Sequence, residues 1–418
     1  MTLLSLVKAV FLGGDTPYSR ERHERATRCM IVAFFIAPLL FVTVELSPTA
    51  WAVTVAVILF LNNPRLLVTS ATLSPLFFTL LVFAGIGALS AIWSVEPARS
   101  LSASMKLAGF IILGKIIIDQ LMSVSDDQRG RLWRTLVAGC AIGLVCLTAI
   151  EIAVWLNGMP STTAVRTFHK TTFYGLFFAA FLLFSKSEGA KFRLAFVVLF
   201  YALPTLLLGN TSGIGIMILT VAPLMLLKPS DLKRALVAFC LIYAIFALTA
   251  PFWVEQAYFY VDGSRIPTLP HVSSSMARLE LWKDLVPQIK TAFWFGHGAD
   301  TTRVLPLAFG EIKYYDLPDI PSAHNMVFDI WYELGLLGII ALLTIIMTAA
   351  ETVMNLRAGA LLVAFIVLVG TVVELSVDHR IWLSWLQGAL ILAISICVLT
   401  GTRTIADERA AKPRNHDI

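Results

Sequence analysis

Twelve apolar runs, most of them long enough to cross a bilayer, leave this chain few ways to fold. They lie near 29–46, 49–62, 72–94, 102–122, 133–157, 172–185, 193–209, 212–227, 235–254, 326–349, 358–376 and 381–400. A hydrocarbon layer about 30 Å thick needs about 20 residues of helix to span it. Lipid offers no partner for backbone polar groups, so only helices and closed barrels cross. A barrel would read as alternating ten-residue strands, and no such alternation occurs. Composition agrees: charged residues are 14% of the 418, against about 25% in a soluble domain. The expected fold class is an all-α polytopic membrane protein of about twelve transmembrane helices.

Basic residues sort by side. With the N-terminus in the cytoplasm, the even-numbered connections carry Arg65; Arg129, Arg131 and Arg134; Lys186, Lys191 and Arg193; Lys228, Lys233 and Arg234; and Arg357. The tail adds Arg403, Arg409, Lys412 and Arg414, whereas the connections around 46–49 and 209–212 carry none. Cytoplasmic loops are the basic ones, so both termini are expected inside. Residues 1–12 are too short to span, and no A-x-A-like cleavage site precedes Arg20, Arg22, Arg25 and Arg28. The chain then divides into a cytoplasmic segment (1–28), nine helices (29–254), a large external loop (255–325), three helices (326–400) and a cytoplasmic tail (401–418). Trp51, Trp93, Trp133, Trp155 and Trp253 fall near span ends, where aromatic rings anchor at the interface. The partners expected on these grounds are membrane lipids and no nucleic acid.

Against that sorting, Arg99, Arg166, Lys170 and Arg380 stand in short connections on the outer side. Each alone reads as a solvated loop charge; together they make an anion site, because guanidinium forks onto phosphate oxygens and stays charged. The same side holds His169, His271, His297, His324 and His379, five of the seven histidines, with Arg265, Arg278 and Arg303. Lys106 lies within two helical turns of Arg99 and reaches either a phosphate or a carboxylate such as Glu374.

The outer loop is expected to be a folded cap with short helices, since 277–289 is patterned as an amphipathic helix through Leu279, Trp282, Leu285 and Val286. His324, in Ser322-Ala323-His324-Asn325, sits where this loop meets the tenth span. Two readings stand there. The imidazole is a general base at a helix N-terminus that favours anions, with Asn325 fixing the ring or binding a sugar. Or the segment is a helix cap with an incidental histidine. Signals for a metal are weak: there is no Asp-x-Asp and no His-x-x-x-His, and Asp316 and Asp319 flank a Leu-Pro turn. His297 and Asp300 belong to a glycine-rich turn, Phe295-Gly296-His297-Gly298-Ala299-Asp300, whose glycines let backbone approach backbone. The five cysteines lie in or beside apolar runs, so neither a disulfide framework nor a cysteine-ligated metal is expected, and no cofactor.

In order along the chain stand Arg278-x-x-x-Trp282, Gly296-His297-Gly298, His324-Asn325 and Glu333-x-Gly335-x-x-Gly338, preceded by Arg166-Thr167-Phe168-His169. This set resembles the O-antigen ligase family over about 160–340; elsewhere the likeness is one of topology. The resemblance implies a GT-C-like membrane fold and a metal-independent, inverting glycosyltransferase of the bacterial inner membrane, with its active site in the periplasm. Such an enzyme passes O-antigen from undecaprenyl diphosphate to a sugar hydroxyl of lipid A-core. His324 matches the family's loop histidine and would be the base. Diphosphate would be held from among Arg265, Arg278, Arg166, Arg303, Arg380 and Lys106, with His169 and Asn325 as further substrate contacts. Asn210-Thr211-Ser212-Gly213-Ile214 lacks the arginine many relatives carry after that serine, so its part falls to the other basic residues. O-antigen polymerases and bacterial O-oligosaccharyltransferases share the pattern. A transporter would show inverted repeats and midplane charges, and neither is evident.

Overall fold

The computed structural model describes residues 17–43, 47–63, 74–156, 178, 228–263, 273–304, 323–356, 358–376 and 380–411. Among them are ten α-helices, two 3-10 turns and no strand. The helices are α1 (Pro17–Thr43), α2 (Ser47–Asn62), α3 (Pro75–Leu89), α4 (Pro97–Ser123), α5 (Asp126–Leu156), α6 (Pro229–Asp262), α7 (Ser273–Thr291), α8 (Met326–Met354), α9 (Ala358–Leu375) and α10 (Ser384–Ala411). Seven are long and apolar enough to cross a membrane: α1, α3 with the 3-10 turn Ser90–Ile92, α4, α5, α6, α8 and α10. The apolar α2 and α9 are shorter. The protein is therefore an all-α, multi-pass membrane protein, as the apolar runs require. Nine of the twelve expected spans have a helix here, and 193–209, 212–227 and all of 172–185 except Phe178 lie outside the described residues.

Local sequence explains the helix starts. Pro75, Pro97 and Pro229 open α3, α4 and α6, at the position where a missing N–H costs nothing. Ser74 caps α3 by accepting from Phe77 N at 3.3 Å. Helix α1 begins at Pro17, well before the apolar run at 29. Its polar start is supported by Arg25–Glu21 at 2.9 Å and Arg28–Glu24 at 3.7 Å, both four residues apart on an exposed face.

Packing joins α1 to α5 and α2, α2 to α4 and α10, α4 to α3 and α10, and α8 to α3, α6, α7 and α9. Helices come close where glycine leaves room: a Cβ on Gly139 of α5 would lie 2.5 Å from Phe35 O of α1. Leu241, Ile242, Ile245, Phe252 and Phe259 of α6 stay exposed, an apolar face that suits lipid rather than water. Between α1 and α2 runs a groove of about 750 Å³, lined mainly by apolar side chains from Met30 to Leu40 and Ala50 to Leu59, with Arg28 at one end.

Contacts between helix ends separate two ends of the bundle. The starts of α4, α8 and α10 share one end with α7 and the segment 292–304, through contacts described below. The other end holds the start of α1, where His23 Nδ1 lies 3.3 Å from Gln120 Nε2 near the end of α4. It also holds the start of α6, whose Leu232 and Leu236 cluster with Val353 and Leu361. Arg22, Arg25, Arg28, Arg129, Arg131, Lys228, Lys233 and Arg234 thus crowd the end away from His324.

Candidate functional site

The site is built on a break in α8. Gly335 has φ 61° and ψ −155°, which interrupts the helix about two and a half turns from its start. A break in a buried helix frees carbonyls before it and N–H groups after it, and these need partners. The segment after α7 supplies all four. His297 N donates to Tyr332 O at 2.9 Å, and Gly298 N to Glu333 O at 2.8 Å. Leu336 N and Leu337 N donate to Phe293 O and Trp294 O at 2.8 and 3.1 Å. Gly296, at φ 67°, lies directly against the Glu333–Leu334 peptide, a close approach only glycine permits. The expectation that these glycines bring backbone to backbone holds at both, and Gly298 also packs against the Ser94 and Ser100 side chains.

The same segment is pinned to the corner between α3 and α4. Ala299 N donates to Ser90 Oγ at 3.0 Å, and Ser100 Oγ donates to Ala299 O at 2.8 Å. Val95 N donates to His297 O at 3.1 Å, and Trp93 Nε1 to Phe295 O at 3.1 Å. From below, the buried Glu333 accepts from Thr302 N at 3.3 Å, from Thr302 Oγ1, and from Trp382 Nε1 at 2.5 Å. One carboxylate therefore ties α8, the loop and the α9–α10 connection together. His297, stacked on Tyr332 at 4.6 Å with Nε2 3.1 Å from Gln288 O, belongs to this scaffold.

Held this way, Asp300 meets cations from three directions. Its Oδ1 lies 3.4 Å from Arg380 Nη1, and its Oδ2 lies 3.8 Å from Arg99 Nη1. Arg303, on the 3-10 turn Thr301–Val304, and Lys106, two turns along α4 from Arg99, also act on it electrostatically. Burial raises the Asp300 carboxyl above its ordinary 3.8, with Arg380, Arg303, Arg99 and Lys106 pulling the other way. Burial likewise lowers the Arg380 guanidinium.

His324 stands at the same end. Its neighbour Ala323 is clamped through both backbone groups: Ala323 N donates to Asp329 Oδ1 at 2.9 Å, and Trp282 Nε1 donates to Ala323 O at 2.7 Å. Trp282 stacks on Phe328 at 5.1 Å. Asp329 is within electrostatic reach of both Arg380 and His324, which places the histidine beside the cation cluster. Asn325 caps α8, accepting from Val327 N at 2.8 Å and Phe328 N at 3.4 Å, and is 1% exposed. Its oxygen is engaged with the helix, and these two first-turn N–H groups serve the cap rather than an anion. Asp300 (φ 57°) and His324 (φ 49°) are the described non-glycine residues with positive φ, and both lie here. Such strained conformations collect at functional sites.

Of the residues named from sequence, the structure brings Arg303, Arg380 and Lys106 together, with His324 beside them. Arg278 lies on α7 one turn before Trp282, on the face that reaches the His324 loop. Arg166, His169 and Arg265 lie outside the described residues, as do His271, Asp316, Asp319 and His379. Sequence reasoning noted Arg99 as out of place without assigning it to the diphosphate. It missed Asp329, whose only signal was a carboxylate in an apolar helix, and read Glu333 as a motif residue without a role. Among the described residues no group of three or more His, Cys, Asp or Glu is placed to hold a metal.

Fold and site together define a multi-pass helical membrane protein with a cluster of cations around Asp300 and a histidine beside it at one end of its bundle. Residues 194–343 match the family model for O-antigen ligase, a domain-sized stretch that takes in α6, α7, the loop and more than half of α8. The domain supports a glycosyltransferase-like function of the ligase or polymerase type. No curated protein matches the chain.

Proposed function

We propose that the protein is an O-antigen ligase of the bacterial inner membrane, moving the glycan from undecaprenyl diphosphate to a hydroxyl of lipid A-core. The observation that carries this reading is the convergence of Arg99, Arg303, Arg380 and Lys106 on Asp300 with His324 beside them. The acceptor oxygen attacks the anomeric carbon as the carbon–oxygen bond to diphosphate breaks, inverting that centre. His324 takes the hydroxyl proton, a service worth about 10²–10⁴-fold. The guanidiniums take the charge that grows on the leaving diphosphate, each well-placed donor contributing about 3–4 kcal/mol. The basic residues at the opposite end of the bundle support a cytoplasmic placement for that end, which turns the pocket to the periplasm.

The test is glycan transfer by the purified full chain, with a polyprenyl-diphosphate-linked glycan as donor and lipid A-core, a second donor molecule or a peptide as alternative acceptors. Transfer to lipid A-core is expected, and His324→Ala is expected to lower it about 10²–10⁴-fold with melting unchanged. Full activity of that variant would remove His324 as base. Transfer only to a second donor or to peptide would reassign the protein to a polymerase or a protein glycosyltransferase.

A further inference from the structure

Asp300 sits where an anionic headgroup would meet the cations, and its contacts are loose. Charge-assisted N–H···O bonds run about 2.7–2.9 Å, whereas Asp300 is 3.4 Å from Arg380 and 3.8 Å from Arg99. The donors outnumber the acceptor sites. Two guanidiniums offer about ten N–H groups, and one carboxylate accepts about four. Arg99 Nε is buried and makes no hydrogen bond among the described residues. A buried donor without a partner is costly, so an arriving acceptor with more oxygens than a carboxylate relieves that cost.

The two arginines are not equivalent. Arg380 has 6% of its side chain exposed and is fixed between α9 and α10. Arg99 has 36% exposed, makes the longer contact, and stands at the rim at the start of α4. Asp300 itself cannot easily follow a ligand outward. Its turn is held through Ala299 N, Ala299 O and the bond from Thr301 Oγ1 to Gly298 O at 2.5 Å.

We propose that Asp300 is an exchangeable internal counter-anion: it keeps Arg99 and Arg380 converged until substrate arrives, then yields Arg99 to the diphosphate. This rests on the reading of the pocket as a diphosphate site. It makes Arg99 a diphosphate ligand and Asp300 a positioning residue that competes with the substrate for it. Competition has an unusual signature, because removing the acid tightens anion binding, whereas loss of a merely structural contact would loosen it.

The experiment is calorimetric titration of inorganic pyrophosphate into the purified full chain at fixed pH and salt. Asp300→Asn is expected to bind about tenfold more tightly than wild type, Asp300→Glu about as wild type, and Arg99→Gln more weakly. In the double variant of Arg99→Gln with Asp300→Asn, the gain is expected to vanish. Equal or weaker binding by Asp300→Asn would overturn the exchange, and a gain that persists without Arg99 would overturn its role as the released partner. Should Asp300→Asn not fold, Asp300→Gly carries the same expectation, since glycine accepts φ 57° without strain. The titration involves no glycan transfer. Failure of the exchange therefore leaves the His324 result standing, and failure of transfer leaves the binding pattern to be judged by itself.

Discussion

Replacing Gly335 by alanine tests the break in α8 on which the site depends. At φ 61° and ψ −155° the residue occupies a region essentially reserved for glycine, and forcing a side chain there costs about 1–3 kcal/mol. The added Cβ would lie 2.6 Å from Phe295 N, 2.6 Å from Trp294 C and 2.7 Å from Phe293 O. These are backbone atoms of a segment stitched to α8 by four hydrogen bonds, so none can rotate away. Overpacking of this kind adds about 1–3 kcal/mol, giving a loss of about 2–6 kcal/mol in all. Gly85, in the middle of α3, is the control, because a Cβ there meets nothing within 4 Å. Gly85→Ala is expected to stabilise by about 0.5–1 kcal/mol, since alanine has less freedom to lose. The assay is denaturant unfolding in mixed micelles followed by tryptophan fluorescence, with glycan transfer as a second readout. Transfer is expected to drop in Gly335→Ala, because relief of the clash displaces the segment carrying Asp300. Stability within about 0.5 kcal/mol of wild type would refute the argument that this conformation is required.

Asn325→Ala removes the cap of α8 and is expected to cost about 1 kcal/mol in the same unfolding assay, with Asn325→Asp retaining most of it. A loss under a few tenths would show that the cap is dispensable. The burial of Asp300 sets a pH dependence. Its folded carboxyl holds the proton better than the unfolded one, so its contribution to stability falls as pH climbs from 3.8 through the raised folded value, then levels. Melting of wild type minus Asp300→Asn between pH 3.5 and 7 is expected to decline across that window and stay flat above it. A difference independent of pH would contradict the shift.

Much of the architecture was legible because its cause is local. A run of apolar residues partitions into lipid whatever its neighbours do. The amphipathic pattern around Leu285 and Val286 became α7, and the segment before Met326 became the capped start of α8. His324 was legible through its place at that junction, although the same residues fitted a plain cap, and Asn325 proved to be one. The polar start of α1 was not read as helix, because ion pairs four residues apart carry it rather than hydropathy.

The site itself is another matter. Ser100 and Ala299 are 199 residues apart, Ser90 and Ala299 are 209 apart, and Asp300 and Arg380 are 80 apart. No pattern along the chain could pair them, since which helix ends meet depends on how the helices pack. Glu333 read as part of a motif, and only packing placed Thr302 and Trp382 within its reach. Gly335 looked like one of two motif glycines until the fold set its dihedral angles against the Phe293–Phe295 backbone. The sequence by itself determined that this chain crosses a membrane many times. The tertiary structure decided which basic groups converge on Asp300 beside His324, because hydropathy and helix propensity act over a few residues, whereas convergence of charge follows from contacts between segments far apart in the chain.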